Sequence, residues 1–464
     1  MNFRAFFLLL SLSLAAAATA IAAGAQDTIF YSLPTALETL LNNGYSIKFS
    51  RNREEILSNN ATRGNAGMLP KVNASAGYSG AANQLQNAGG QRYHNTFTNS
   101  YNLGLSATWT LFDGWGMQAS YSQLQEMQKN GVLSVKLEIE NSVAQTTAMY
   151  YELLQRRLRL ENLAIMLSLS RERLRMATEK YLVGAHSQLE LLQAQVDFNA
   201  DSSQLVTYRQ GIYEQIIRFK KQLLIPFDAY DVVFTDSAFN LNEQLQLETL
   251  VEATMQNNTS LKIFDKNRTI TDLERQQVIA ARYPYVNLNA SYGYNNAHAS
   301  YTSSSNGALG LGYGVSVGFK IYDGANQRRL ERNVAVELRN RELEYEQQKQ
   351  QVMADLYLLY SSYKSYMNLL GLERNNRALA DRKVSLAMEQ YRLGQITSLE
   401  LREHQRTYLD AQDRLLNAML QAKLSEIYIM QLCGAVLNYM EVDNNVEENN
   451  DVEENNDDES VAGS

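Results

Sequence analysis

The side chains in this 464-residue chain that could do chemistry are few and scattered. The four histidines, His94, His186, His298 and His404, stand far apart in sequence, and Cys433 is the single cysteine. Nucleophilic catalysis needs a nucleophile, a base and an orienting group brought together, and phosphate chemistry needs a glycine-rich loop after a strand. Neither pattern is present, so the expectation is no catalytic centre, no cofactor and no enzyme. Glu400 and His404 are four residues apart, a spacing that seats a metal on one helix face when a second pair converges on it. No second pair lies nearby, so an exposed helix face is the simpler reading and no metal is expected. A lone cysteine excludes an intramolecular disulfide.

Charge is equally local. The formal net charge is −8, but the segment from Glu441 to Ser464 holds ten acidic residues and no Lys or Arg. The rest of the chain carries 42 cations against 40 anions and is nearly neutral. A polar, like-charged run cannot bury enough apolar surface to fold, so residues 435–464 read as an acidic disordered tail. No basic patch is dense enough to suggest nucleic acid. At the other end, Arg4, the apolar run Phe6 to Ala18 and the small residues Ala23-Gly24-Ala25 read as a cleaved leader over residues 1–25, with a mature chain from Gln26. Beyond it no apolar stretch approaches the ~20 residues of a spanning helix. Any entry into a membrane must therefore be as strands.

The elements come in two copies. Leu105 to Gly114 reappears as Val315 to Gly324, Glu179 to Gly184 as Glu389 to Gly394, and Leu189-Glu190-Leu191 as Leu399-Glu400-Leu401, all at an offset of 210. A looser match of Pro70 and Val72 to Pro284 and Val286 is displaced by 214, which places a small insertion between Pro70 and Asp113. The repeats are read as 26–225 and 249–434, with a linker over 226–248. Each contains two stretches of strict alternation. Val72, Ala74, Ala76 and Tyr78 share one face, as do Tyr101, Leu103, Leu105, Ala107, Trp109 and Leu111. In copy two they are Val286, Leu288, Ala290, Tyr292 and Tyr294, then Leu309 through Ile321 at every second residue. The opposite faces are small or polar, the pattern of a membrane barrel strand with lipid on one side and water on the other.

Helical pattern fills the rest. From Gly114 to Val183 no proline or glycine cluster interrupts ~70 residues, roughly 105 Å of helix. Two seams run along it: Leu153, Leu160, Leu163, Leu167, Leu174 and Tyr181, and Leu154, Leu158, Ile165, Leu169 and Met176. Two seams suit a helix with a neighbour on each side, as in a ring. The segments from Pro34 to Leu69 and Ser187 to Leu224 together match its length and are expected to stack end to end, antiparallel beside it. Four strands cannot close a barrel alone, and lipid leaves no edge unpaired. Three chains would give 12 strands with a lumen.

These features are carried by specific residues: the strand ends Phe112-Asp113-Gly114 and Tyr322-Asp323-Gly324, and the turns Tyr181 to Gly184 and Tyr391 to Gly394, each followed by Leu-Glu-Leu. Together they resemble the outer membrane efflux protein (TolC-like) family over residues 30–434. The resemblance implies an α+β membrane protein, a homotrimer whose 12-stranded outer-membrane β-barrel is continuous with a long periplasmic α-helical barrel. It also implies a passive exit duct, opened by a periplasmic adaptor and an inner-membrane pump, for drug efflux or type I secretion. In that family the matching helix carries acidic residues six and nine positions past the turn glycine, at the closed periplasmic mouth. Here they are Glu400 and Glu403; a solvated helix face is the other reading of that pair. Glu190 and Tyr391 match further latch positions, whereas Ile396 stands where the best-known branch has arginine. The turns holding Val183, Gly184, Leu393 and Gly394 are the expected far tips that meet the adaptor. The competing class is a trimeric surface adhesin, coiled coils on a small barrel anchor. The duplicated order argues against it, because an adhesin has one anchor at one terminus.

Overall fold

The computed structural model describes residues 27–86, 89–90, 92–185, 187–227, 230–234, 238–300 and 304–440. The leader, the acidic tail from Glu441 onward and His186 lie outside the described residues. In chain order the elements are β1 (Asp27–Tyr31), α1 (Leu33–Asn43), α2 (Tyr45–Asn60), β2 (Lys71–Gln86), β3 (Arg92–Phe112), α3 (Gly116–Leu182) and α4 (Gln188–Leu223). The second half runs β4 (Tyr230–Phe234), α5 (Leu247–Asn257), α6 (Thr259–Ala280), β5 (Tyr285–Ala299), β6 (Ser304–Gly318), α7 (Asn326–Arg392) and α8 (Ser398–Leu432), closed by a short 3-10 turn at Val436–Met440. Among the described residues no helix is long and apolar enough to cross a membrane.

Both long helices form as their sequence requires. The helices α3 and α7 are 67 residues each, about 100 Å, and Gly371 leaves α7 unbroken. Three expectations need correction. The stretch from Pro34 to Leu69 is two helices, because Gly44 turns extended with ψ 121° while its N–H caps Leu40 O at 2.7 Å. The second of these stops at Asn60, and a turn carries the chain to Pro70. The last strand ends at Gly318, leaving Phe319 and Ile321 outside it: Gly318 pairs with Tyr285, the first residue after Pro284, so no partner strand remains. Strands β1 and β4, a parallel pair from Asp27↔Tyr230 to Tyr31↔Phe234, were not anticipated; β4 falls in the expected linker.

The chain divides into two compact units. One comprises residues 49–136 and 259–351 and holds the four-stranded antiparallel sheet β2-β3-β5-β6. Register aligns the two faces across all four strands. One face runs Ala74–Leu105–Tyr292–Leu311, then Ala76–Leu103–Tyr294–Leu309. The other runs Ser75–Gly104–Gly293–Gly310 and Asn73–Ser106–Ser291–Gly312. On β5 the apolar face spans Val286 to Tyr294, nine residues or about 27 Å along the strand. The helices of this unit follow the strand order. Leu57 of α2 packs near Gly131 of α3, and Lys266 of α6 pairs with Glu126 of α3 at 2.7 Å. Gln348 of α7 donates to Ser260 of α6 at 3.2 Å.

The other unit comprises residues 1–48, 137–258 and 352–464. Its main core joins Leu37, Leu40 and Ile47 to Val143, Tyr150 and Leu154 of α3, and to Phe219 and Leu223 of α4. The inter-repeat segment is fastened along α7 and α8. Lys423 donates to Asn240 O at 2.6 Å and to Glu426 at 2.8 Å, and Tyr363 donates to Asn242 O. Burial pushes the Lys423 ammonium below its usual range, with Glu426 opposing the shift.

Candidate functional site

Long helices placed side by side need reversals, and each repeat supplies one in the second unit. At Leu182–Gln188 the chain leaves α3 through Gly184 at φ 73°, with Gly184 N–H on Tyr181 O and Ala185 N–H on Lys180 O. At Arg392–Ser398 the pattern repeats through Gly394 at φ 74°, with bonds to Tyr391 O and Gln390 O. This is the paired closure that a left-handed residue allows at a helix end, and it favours glycine because a side chain there is strained. The next helix restarts on a hydroxyl cap. Ser187 accepts from Glu190 N–H at 3.4 Å, and Thr397 from Glu400 N–H at 3.2 Å. In the second copy the box is reciprocal: Glu400 Oε2 accepts from Thr397 N–H at 2.7 Å. That bond, then the one from the Thr397 hydroxyl, holds the Glu400 carboxyl below its ordinary range.

Both tips are apolar and exposed, with Leu182, Val183 and Leu189 at one and Leu393 and Leu399 at the other. Glu403 is exposed one turn beyond Glu400, and Glu190 is half-buried. The two tip tyrosines differ. Tyr181 is 39% exposed, whereas Tyr391 is 0% exposed and packs with Met176, Ala387, Met388 and Leu401. Lys180 donates to Tyr391 O at 2.8 Å and lies 4.5 Å above its ring. Burial raises the Tyr391 hydroxyl above its usual range. Ile396 packs against the same cluster as an apolar residue.

Behind the tips lies a group of charges that the sequence reading missed. Arg402 of α8 holds Asp201 of α4 in a fork, at 2.6 and 2.7 Å, and Asp201 accepts from Ser170 of α3. Arg173, with a side chain 0% exposed, pairs with Asp197 at 2.6 Å. Burial works against both arginines. It lowers Arg173, while at Arg402 the hydrogen bonds it donates to Asp201, with the charges of Asp201 and Asp197, outweigh it and raise that group. Three helices from two repeats meet here: residues 170 and 201 of the first repeat, and 402 of the second. The signal was visible only by comparing copies, since Ser170 and Asp201 stand 210 positions before Ala380 and Ala411.

Further contacts fix the order of the helices. From Ser170–Arg402 through Arg159–Asp413 and Gln155–Asn417 to Asn141–Gln431, α3 and α8 run antiparallel without slipping by a residue. Gln215 of α4 donates to Glu152 of α3, and Arg414 of α8 pairs with Glu373 of α7. The order is therefore α4-α3-α8-α7, with α4 and α7 outermost. Each outer helix shows an exposed apolar stripe. On α7 these are Leu358, Leu372, Leu379 and Leu386, in step with a heptad that Leu393 continues into the turn; on α4 they are Leu189, Leu192, Val196, Val206 and Tyr213. Among the described residues no group of three His, Cys, Asp or Glu is placed to hold a metal.

Comparison with known proteins follows the same lines. The family model described as outer membrane efflux protein matches twice, over residues 36–222 and 250–435. No curated protein matches the chain. Among solved structures, the outer-membrane channel OprN superposes with a TM-score of 0.70 at 16% identity, covering 87% of this chain and 90% of that one. The Campylobacter jejuni CmeC outer membrane channel gives 0.73 at 14%, covering 87% and 86%. The open state of the Neisseria gonorrhoeae MtrE outer membrane channel gives 0.68 at 14%, covering 87% and 89%. At such identities the likeness is one of fold.

Proposed function

Since the chain belongs to the outer membrane efflux protein family, an outer-membrane channel family with a periplasmic tunnel, we propose that three copies close into one exit duct. The carrying observation is that both units are open at both flanks. Strands β2 and β6 are the outer strands of the sheet, and α4 and α7 are the outer helices with unpartnered apolar stripes. An open sheet edge is intolerable in lipid, and an exposed leucine heptad calls for a facing helix. Three copies turn four strands into 12 and give a lumen wide enough for passage. The two sheet faces then divide between lipid and water, and the apolar span on β5 suits the ~25 Å band of outer-membrane barrels.

In this reading the tips at Gly184 and Gly394 face an adaptor, which brings an inner-membrane pump, and the apolar side chains there are the docking surface. Glu400 and Glu403 form rings of carboxylates at the periplasmic mouth, with Glu190 and Tyr391 beside them. Charged rings of this kind set ion selectivity in pores. Ile396 offers no charge, and Arg402 and Asp201 tie the second-repeat helix to the first. An adhesin would not insert a hairpin within each of two repeats.

Planar-bilayer recording together with crosslinking in mild detergent tests the proposal. Stable single-channel currents and crosslinked products that saturate at three chains are expected. A conducting monomer, or a trimer without conductance, would overturn it.

A further inference from the structure

The strands of the sheet hold two cations, Lys71 and Arg92, and no carboxylate. Immediately after β6 the chemistry changes. Phe319, Lys320, Ile321 and Tyr322 follow the strand, and α7 opens with Arg328, Arg329 and Arg332. Phe319, Ile321 and Tyr322 are 58, 90 and 85% exposed, and all four cations are exposed. Of the nearby carboxylates, Asp323 accepts from Gln327 N–H at 3.0 Å and Glu331 is engaged by Arg282. Among the described residues none of Lys320, Arg328, Arg329 and Arg332 forms an ion pair.

The equivalent place in the first repeat is different. The helix α3 opens with Gly116 to Leu124, which contain no charge, and Gln118, Ala119 and Ser122 stand where the second copy has its three arginines. Helix formation therefore does not require the arginines, and Glu331, which Arg328 reaches only through its field, is already paired with Arg282. Phe319 and Ile321 also extend in sequence the alternation of Val315 and Val317, so exposed apolar residues follow directly on the strand that carries the apolar face. An apolar band that ends in aromatic and basic side chains matches the layering of a bilayer, acyl chains first and phosphates next.

We propose that the rim formed by Phe319 to Tyr322 and Arg328, Arg329 and Arg332 binds the phosphates of anionic phospholipid headgroups in the periplasm-facing leaflet. The inference rests on the lipid-facing reading of the sheet. Its occupant is a lipid because the cations adjoin an exposed apolar surface that a free anion would leave uncovered. One rim per chain makes three in the assembly, separated by the uncharged first-repeat junctions.

The test is lipid retention by the purified full-length protein, read by native mass spectrometry with phosphatidylglycerol and, separately, phosphatidylcholine. Wild type should retain phosphatidylglycerol preferentially. The triple variant Lys320→Gln, Arg328→Gln, Arg329→Gln should lose that preference about fivefold per cation, on the order of a hundredfold in all. It should stay trimeric and keep its phosphatidylcholine binding. Arg92→Gln, at the far end of the sheet, should change nothing. Undiminished preference in the triple variant would overturn the proposal. So would dissociation of that variant into monomers, which would assign the cations to the contact between copies. Equal protection by inorganic phosphate alone would overturn it too, by making the rim a free-anion site. If wild type retained neither lipid, the lipid-facing reading of the sheet itself would fail.

Discussion

In the second repeat, Ala380 of α7 and Ala411 of α8 belong to a buried cluster with Val384 and Tyr408. In the first repeat the same two places are taken by Ser170 and Asp201, bonded to each other and to Arg402. One hairpin is sealed by small apolar residues and is complete. Its copy is polar inside and completed by a side chain from the other repeat. The difference shows how a duplicated unit can tell its two neighbours apart. An apolar seam accepts many partners, whereas a desolvated fork between Arg402 and Asp201 accepts one register. Buried pairs of this kind often add little net stability over apolar residues, although removing one partner is costly. Specificity of docking is then what the first repeat gains.

The comparison can be broken or sharpened by experiment, beginning where the largest effect is expected. If both tips dock an adaptor, Val183→Asp and Leu393→Asp should each abolish export in cells while membrane-inserted trimers persist. Export that survives one of the two would mean the repeats are unequal at their tips as well. Next comes the fork. Arg402→Leu leaves Asp201, 7% exposed, without its cation, at a cost of about 3–5 kcal/mol. Denaturant unfolding and hydrogen exchange along α4 should both report it. Giving the first repeat the solution of the second, with Ser170→Ala, Asp201→Ala and Arg402→Leu together, should return stability to within about 1 kcal/mol of wild type or above it. If the triple variant is as damaged as the single one, the fork is structural and the specificity argument fails.

A moderate effect is expected at the mouth. Glu400→Gln with Glu403→Gln should shift reversal potentials across a salt gradient toward lower cation preference, with trimers intact. Wild-type potentials would place those carboxylates away from the constriction. The smallest effect concerns the caps. Thr397→Ala should cost about 1 kcal/mol and Ser187→Ala less, because Thr397 belongs to a reciprocal box. Glu400 has a depressed folded-state pKa, so its contribution is full above the ordinary carboxylate value of 4.5 and lost as pH falls through the lower folded value. The gap between the two cap variants should therefore shrink in acid, as read by local hydrogen exchange.

How much of this was legible in the sequence depends on the distance over which each interaction acts. The alternation of Leu309 to Val317 and the proline-free run after Gly116 are local patterns, and both became the expected elements. The turns at Gly184 and Gly394 were legible because a left-handed residue leaves a glycine behind. The break at Gly44 was not, since one glycine inside a helical pattern is usually tolerated. The strands β1 and β4 were missed because each is five residues long and gains its identity from a partner about 200 positions away. The fork was hidden for the same reason, as nothing around Arg402 indicates that its carboxylate is Asp201. Glu400 was read from a family pattern, yet its nearest duty in one chain is the cap on Thr397.

The pairing of β1 with β4 bears on the order of events during biogenesis. Asp27 faces Tyr230 in a parallel register that runs to Tyr31 and Phe234. A chain emerging from its N-terminus presents the first strand immediately, but the second only after the whole first repeat has appeared. Until then β1 has an edge to offer and nothing to meet, and it must be shielded or kept in motion. Closing so long a loop adds little entropy beyond that of a loop half its size, about 0.6 kcal/mol per doubling, so the delay is one of time rather than of stability. The pair is thus a clasp that cannot shut until the whole first repeat has emerged, through Phe234.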